Sequence, residues 1–178
     1  GSIMSSAILK NFKVTTALFG VPVLIALLWA TGVRADFMAE SVDNDFPDEI
    51  AIAAEEGKQL VIMFQQTGCP YCAKMHARVF PDPKVKEYYS DRFVMVQSNI
   101  RGDLPVVSPD GKTMTEKQLA RSLRVRATPV FIYYDKKGNQ ALKVTGFMDA
   151  ERFNKAGKYV ADGVYKTKTS LYRYMLIN

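Results

Sequence analysis

Leu60-Val61-Ile62-Met63-Phe64-Gln65-Gln66-Thr67-Gly68-Cys69-Pro70-Tyr71-Cys72 is the stretch on which the fold turns. Its first five residues are apolar without a break, the mark of a strand buried on both faces. Gln65 to Gly68 is polar and ends in glycine, which signals a turn. Pro70 then stands where a helix can begin, because the N–H that proline lacks has no partner in a first turn anyway. Strand, turn and helix follow one another directly, and both cysteines of the chain sit at the helix start.

Outward from this stretch, the pattern alternates between helix and strand. On the N-terminal side, Phe46-Pro47-Asp48-Glu49 opens a helix to Glu56, with acids in its first turn and Gly57 as its stop. Asp36 to Asn44 reads as a polar leader. On the C-terminal side the helix from Pro70 runs to Phe80, Pro81 and Pro83 break it, and Lys84–Ser90 forms a further helical piece. Arg92–Ile100 is the second strand, residues 101–113 a Gly/Pro/Asp-rich loop, and Thr115–Leu123 a helix. Val130–Tyr134 and Ala141–Thr145 are strands joined by the hairpin turn Lys136-Lys137-Gly138-Asn139, and Ala150–Val160 is the last long helix. The expected fold is α/β: a three-layer sandwich with a central mixed sheet. From Tyr165 on, the tail carries three tyrosines and three basic residues and is read as a strap or helix packing its aromatics on the body.

The 178 residues carry 24 Lys and Arg against 18 Asp and Glu. Half of the resulting +6 excess comes from Lys10, Lys13 and Arg34, in a leading segment without acids. No Lys/Arg run interleaved with aromatics occurs, so nucleic acid is not an expected partner. Gly1-Ser2-Ile3 reads as an expression remnant ahead of a native start at Met4. Lys10 and Lys13 precede the apolar run Val14–Ala30, and Val33-Arg34-Ala35 offers small residues at the −3 and −1 positions of a cleavage site. Residues 4–35 are therefore read as a secretory signal, or alternatively as an uncleaved anchor. Either places the remainder in the periplasm, free or held at the inner membrane. The division expected is remnant 1–3, signal or anchor 4–35, folded domain 36–165 and tail 166–178.

Two cysteines three apart cannot brace a scaffold, because so small a loop restricts little of the unfolded chain. Redox chemistry and metal binding remain. At a helix start the first thiol lies beside unpaired backbone N–H groups and the positive end of the helix dipole, which lowers its pKa from about 8.5 toward neutrality. Thiolate is the nucleophile, so Cys69 is the expected attacker. Cys72, one turn on, reaches a mixed disulfide on Cys69 and resolves it. Thr128-Pro129 opens what reads as a central strand, where proline fits poorly; a cis bond removes the conflict and leaves the Thr128 backbone free for an extended substrate. His76, four residues after Cys72, reads as a space-filling helix residue, as a modulator of the thiols, or as third ligand of a Cys-Cys-His site. On the last reading the chain is a periplasmic copper or zinc carrier, the alternative to an oxidoreductase, though the ligands fall short of the usual set.

Gly-Cys-Pro-Tyr-Cys (68–72), Met75-His76, Val79-Phe80-Pro81-Asp82-Pro83, Asp110-Gly111, Arg124 to Pro129, Tyr134-Asp135, Gly138 and Gly146-Phe147 together resemble the thioredoxin superfamily, in particular its secreted SoxW- or SoxS-like members. The likeness spans roughly residues 43–165. It implies dithiol–disulfide exchange with protein substrates through Cys69 and Cys72, with Pro70, Tyr71, Thr128 and Pro129 forming the substrate-binding surface. It implies no cofactor or resident metal, electrons delivered by a membrane thiol reductase, and a monomer. The short stretch 81–91 leaves no room for the helical insertion of periplasmic oxidases, nor does 36–45 for an isomerase's dimerisation domain; a reductase is expected. One departure stands out. Where many thioredoxins bury an Asp to accept the resolving thiol's proton, this chain has Met63.

Overall fold

The computed structural model describes residues 37–39, 41 and 44–178. The signal or anchor reading of residues 4–35 falls outside them. The described chain forms a four-stranded sheet in the order β2-β1-β5-β6, from β1 (Gln59–Gln65), β2 (Phe93–Asn99), β5 (Val130–Tyr134) and β6 (Gln140–Thr145). β1 runs parallel to β2 and antiparallel to β5, and β5 runs antiparallel to β6, so the sheet is mixed as expected.

Alternation along β1 explains the layers. Val61 and Met63 point into a core shared with α2 (Pro70–Lys74), α3 (Pro83–Arg92) and α5 (Ala150–Ala161). Leu60, Ile62 and Phe64 point into the opposite core, closed by α1 (Phe46–Glu55) and α4 (Glu116–Ser122). All five of these β1 side chains are buried, which is why the strand reads as an unbroken apolar run. Asp45 caps α1 by accepting from the Asp48 N–H, and a reciprocal Thr115–Gln118 capping box opens α4.

Three expectations need correction. The leader is not merely polar: Phe37 is buried between the rings of Phe80 and Tyr89, and Met95 N donates to Phe37 O while Ala39 N donates to Met95 O, adding a short parallel rung to β2. Phe37, the one aromatic of this stretch, provides the anchor. The loop 101–113 contains β3 (Pro105–Val107), which pairs with β4 (Thr113–Thr115) in a small second ladder. Proline is tolerated there because it opens an edge strand. Finally, the helix from Pro70 changes form: after Lys74 it widens into a π turn, Met75–Val79, closed by Phe80 N donating to Met75 O at 3.0 Å. The wider turn carries Phe80 into contact with the rings of Phe37, Phe131 and Phe153.

Candidate active site

β1 delivers the chain to the edge of the sheet, and a tight turn reverses it. Gly68 takes φ 75°, a left-handed conformation that suits glycine, and Cys69 N donates to Gln66 O at 3.3 Å. Cys69 is then the cap of α2: its Sγ accepts from Cys72 N at 3.1 Å, and Pro70 occupies the first helical position. A disulfide joins Cys69 and Cys72, with Cα atoms 5.3 Å apart. The helix start therefore aims a backbone N–H at the Cys69 sulfur, the interaction that favours a thiolate there once the bond is reduced. Solvent exposure barely separates the two cysteines: both are buried in this oxidised form, Cys69 at 9% and Cys72 at 4%.

The Thr128–Pro129 bond is cis. Pro129 is buried, and Val130 beyond it pairs with Phe64, so the turn into β5 lies at the same end of the sheet as the turn into Cys69. Lys143 steadies this loop from β6, its Nζ donating to the carbonyls of Leu123 (2.8 Å) and Arg124 (3.1 Å) at the end of α4. Gly146 N donates to Pro129 O at 2.8 Å, which brings the loop after β6 alongside. That loop holds Phe147. Its ring lies 6.4 Å from Tyr71, and the Lys74 Nζ sits 4.5 Å above it. Tyr71 remains 57% exposed, a large aromatic presented beside Cys69.

Lys74 was not singled out in the sequence, and Phe147 only within the Gly146-Phe147 motif, not as a site residue. Gly146, with φ 99°, was the available signal: a left-handed turn directly after the edge strand β6. Gln66 also escaped notice; its Oε1 is buried without a hydrogen-bond partner, in the shallow groove lined by Cys69 and Cys72. His76 lines that groove too, exposed, with its ring edge-on to Phe80 at 4.9 Å. Among the described residues, no three His, Cys, Asp or Glu side chains cluster as a metal site would require, in a form whose two cysteines are joined to each other.

Met63 is fully buried in the same core as both cysteines. Glu116, the buried carboxylate among the described residues, lies across the sheet on the α4 side. There its Oε1 accepts from Asn99 N at 2.8 Å and Ser98 Oγ at 3.3 Å. It does not take the place of the missing acid. Nor do Tyr89 and Tyr133, whose hydroxyls bond each other at 2.9 Å: burial pushes both well above the ordinary tyrosine range, so they remain neutral.

A family model described as a thioredoxin-like domain matches residues 46–161. Over 99 residues the chain is 30% identical to the thiol:disulfide interchange protein DsbD of Photorhabdus laumondii, a match that takes in 54% of this chain and 16% of that protein. The chain thus spans about a sixth of the length of that relative. Among solved structures, a thioredoxin from Thermus thermophilus aligns at TM-score 0.51 and 27% identity, over 65% of this chain and 83% of that one. A thioredoxin-fold protein from Helicobacter pylori aligns at 0.56 and 19% identity, over 80% and 84%, a likeness of fold.

Proposed function

This chain belongs to the thioredoxin-like domain family, and from that premise we propose that it is an exported thiol–disulfide oxidoreductase that reduces protein disulfides. The observation that carries the proposal is the Cys69–Cys72 disulfide at the head of α2, with a backbone N–H directed at the Cys69 sulfur. Reduced Cys69 attacks a substrate disulfide as thiolate, forms a mixed disulfide and expels the first substrate thiolate. Cys72 then attacks the Cys69 sulfur and expels the second. The protein ends oxidised, and two electrons from an external thiol donor, a membrane thiol reductase in this proposal, restore it. Pro70, Tyr71, Thr128 and Pro129 form the surface against which the substrate lies. The resolving thiol passes its proton to solvent, in keeping with the apolar Met63.

The reductive direction is supported by the connection between the redox helix and β2, which is the single ten-residue helix α3. A redox titration of the protein against glutathione tests it. A midpoint near that of thioredoxin, about −270 mV, is expected; one near −120 mV would make the protein an oxidant. Grouping with the secreted SoxW- or SoxS-like proteins belongs to the same proposal and rests on motif runs such as Val79–Pro83.

Role assignment between the cysteines has its own test. Limited iodoacetamide on the reduced protein at pH 7 is expected to label Cys69 in large excess over Cys72, read by mass mapping of the singly alkylated product. Label predominantly on Cys72 would reverse the roles.

Export is tested separately. Expressed from Met4 in a Gram-negative host, the protein is expected to be recovered beginning at Asp36, or intact in the membrane fraction if residues 4–35 act as an anchor. Intact protein in the soluble cytosolic fraction would defeat both forms of the proposal.

A further inference from the structure

The family span ends at Ala161, yet the chain beyond it is folded. Gly163 turns left-handed at φ 71°, a short 3-10 turn covers Val164–Lys166, and α6 (Leu171–Ile177) returns along α5. Two contacts fasten it there. The Tyr174 ring lies 5.6 Å from that of Tyr159, and the Tyr159 hydroxyl donates to Thr169 O at 2.8 Å. Between α6, the start of α5 and the end of β6 this leaves a groove of about 650 Å³, lined by Val144, Met148, Leu171, Tyr172, Met175 and Leu176.

Neither cysteine lines the groove, but it shares a loop with their site. Met148 directly follows Phe147, the residue held between Tyr71 and Lys74 beside Cys69. Gly146, at the head of the same loop, is bonded to Pro129. One short loop thus carries Phe147 against Tyr71 and, at the next position, the largely buried Met148 in the groove wall.

From this geometry we propose that the α5–α6 groove is a second docking surface for the protein substrate, taking an apolar side chain several residues away from the substrate's reacting cysteine. The inference rests on the oxidoreductase reading and adds a specificity element outside the family span. The groove has a volume typical of ligand pockets, and its two methionines can repack around differing side chains. Its rim carries both charges, Asp149 and Glu151 against Arg152 and Lys155, with Lys155 Nζ bonded to Glu151 at 2.6 Å. A flat anionic bilayer would call for a convex apolar face with a basic excess. The groove is concave and balanced, which favours a polypeptide. Tyr172 and Leu176, 74% and 68% exposed, stand at its mouth with most of their surface unburied.

The test uses the reduced full chain and two decapeptides, each with one cysteine as a mixed disulfide with thionitrobenzoate. One peptide has leucines three to five residues from the cysteine, roughly 10–16 Å along an extended chain; the other has serines there. Release of thionitrobenzoate gives the second-order rate constants, and 5,5′-dithiobis(2-nitrobenzoate) serves as a probe of cysteine chemistry alone. The leucine peptide is expected to react about tenfold faster, the effect of partly burying leucine. The double variant Tyr172→Ser/Leu176→Glu is expected to bring the ratio below about twofold, with the small disulfide reacting at the wild-type rate. Those two positions are exposed, so the fold is kept; an unchanged melting temperature verifies it. Equal rates for the two peptides, or a ratio that survives the double variant, would overturn the groove while leaving the oxidoreductase reading intact. Inertness toward the small disulfide would overturn both. Cosedimentation with phosphatidylglycerol vesicles that the double variant abolishes, alongside equal peptide rates, would reassign the face to lipid.

Discussion

Cys72→Ser is expected to stop the reaction halfway, leaving substrate proteins covalently attached to Cys69. Attack needs only the first thiol, placed at the head of α2 with a backbone N–H directed at its sulfur. Release needs the second, whose Cα lies 5.3 Å from that of Cys69. No external thiol at millimolar concentration matches an intramolecular partner at that separation. Turnover is therefore expected to fall on the order of a thousandfold or more, while mixed disulfides accumulate. Non-reducing gels of whole-cell extracts read the adducts, and dithiothreitol should dissolve them. Cys69→Ser is expected to trap nothing and to lose exchange altogether. Were Cys69→Ser to trap partners and Cys72→Ser none, the order of attack would be the reverse of that drawn here. The same adducts, identified by mass, would also name the physiological substrates.

Phe153→Ala is expected to have the largest effect on stability, about 3–5 kcal/mol, the usual result of emptying a buried aromatic site. Phe153 is fully buried, stacked on Tyr89 with ring centroids 4.3 Å apart, and makes edge contacts with Phe131 at 5.2 Å. It also touches Phe80 at 5.6 Å, which closes the π turn that follows the redox helix. Since whole domains hold only about 5–15 kcal/mol, the variant should show a sharply lower urea midpoint. Exchange with small disulfides, measured where the variant is still folded, is expected to stay within a few fold of wild type, because the hydrogen bond to the Cys69 sulfur comes from Cys72 N and does not involve Phe153. An unchanged urea midpoint would mean that this aromatic stack contributes little to stability.

The redox segment was legible because its determinants are local. A continuous apolar run, a glycine turn and a proline at the first helical position are each decided within a few residues, and β1, the Gly68 turn and α2 lie where those signals put them. The same holds for the cis bond at Pro129, where proline meets a central strand. Phe37 was less legible, since a lone aromatic in a short stretch of mixed polarity carries no periodicity; its burial depends on Phe80 and Tyr89, more than forty residues away. The π turn was hidden for a similar reason. Nothing between Met75 and Val79 departs from helical spacing, and the widened turn goes with the packing of Phe80 against Phe131 and Phe153 from other elements.

By itself, then, the sequence determined the α/β alternation, the place of the dithiol at a helix start and the cis-proline turn, because backbone preferences and short-range capping decide these. Tertiary structure alone decided what surrounds the thiols. It brought Phe147 under Lys74 and beside Tyr71, sent the buried Glu116 to the far face of the sheet, and laid α6 against α5 to leave a groove next to the site. Each of these joins residues distant in the chain, and such a meeting depends on how whole elements pack, which no local pattern of residue types encodes.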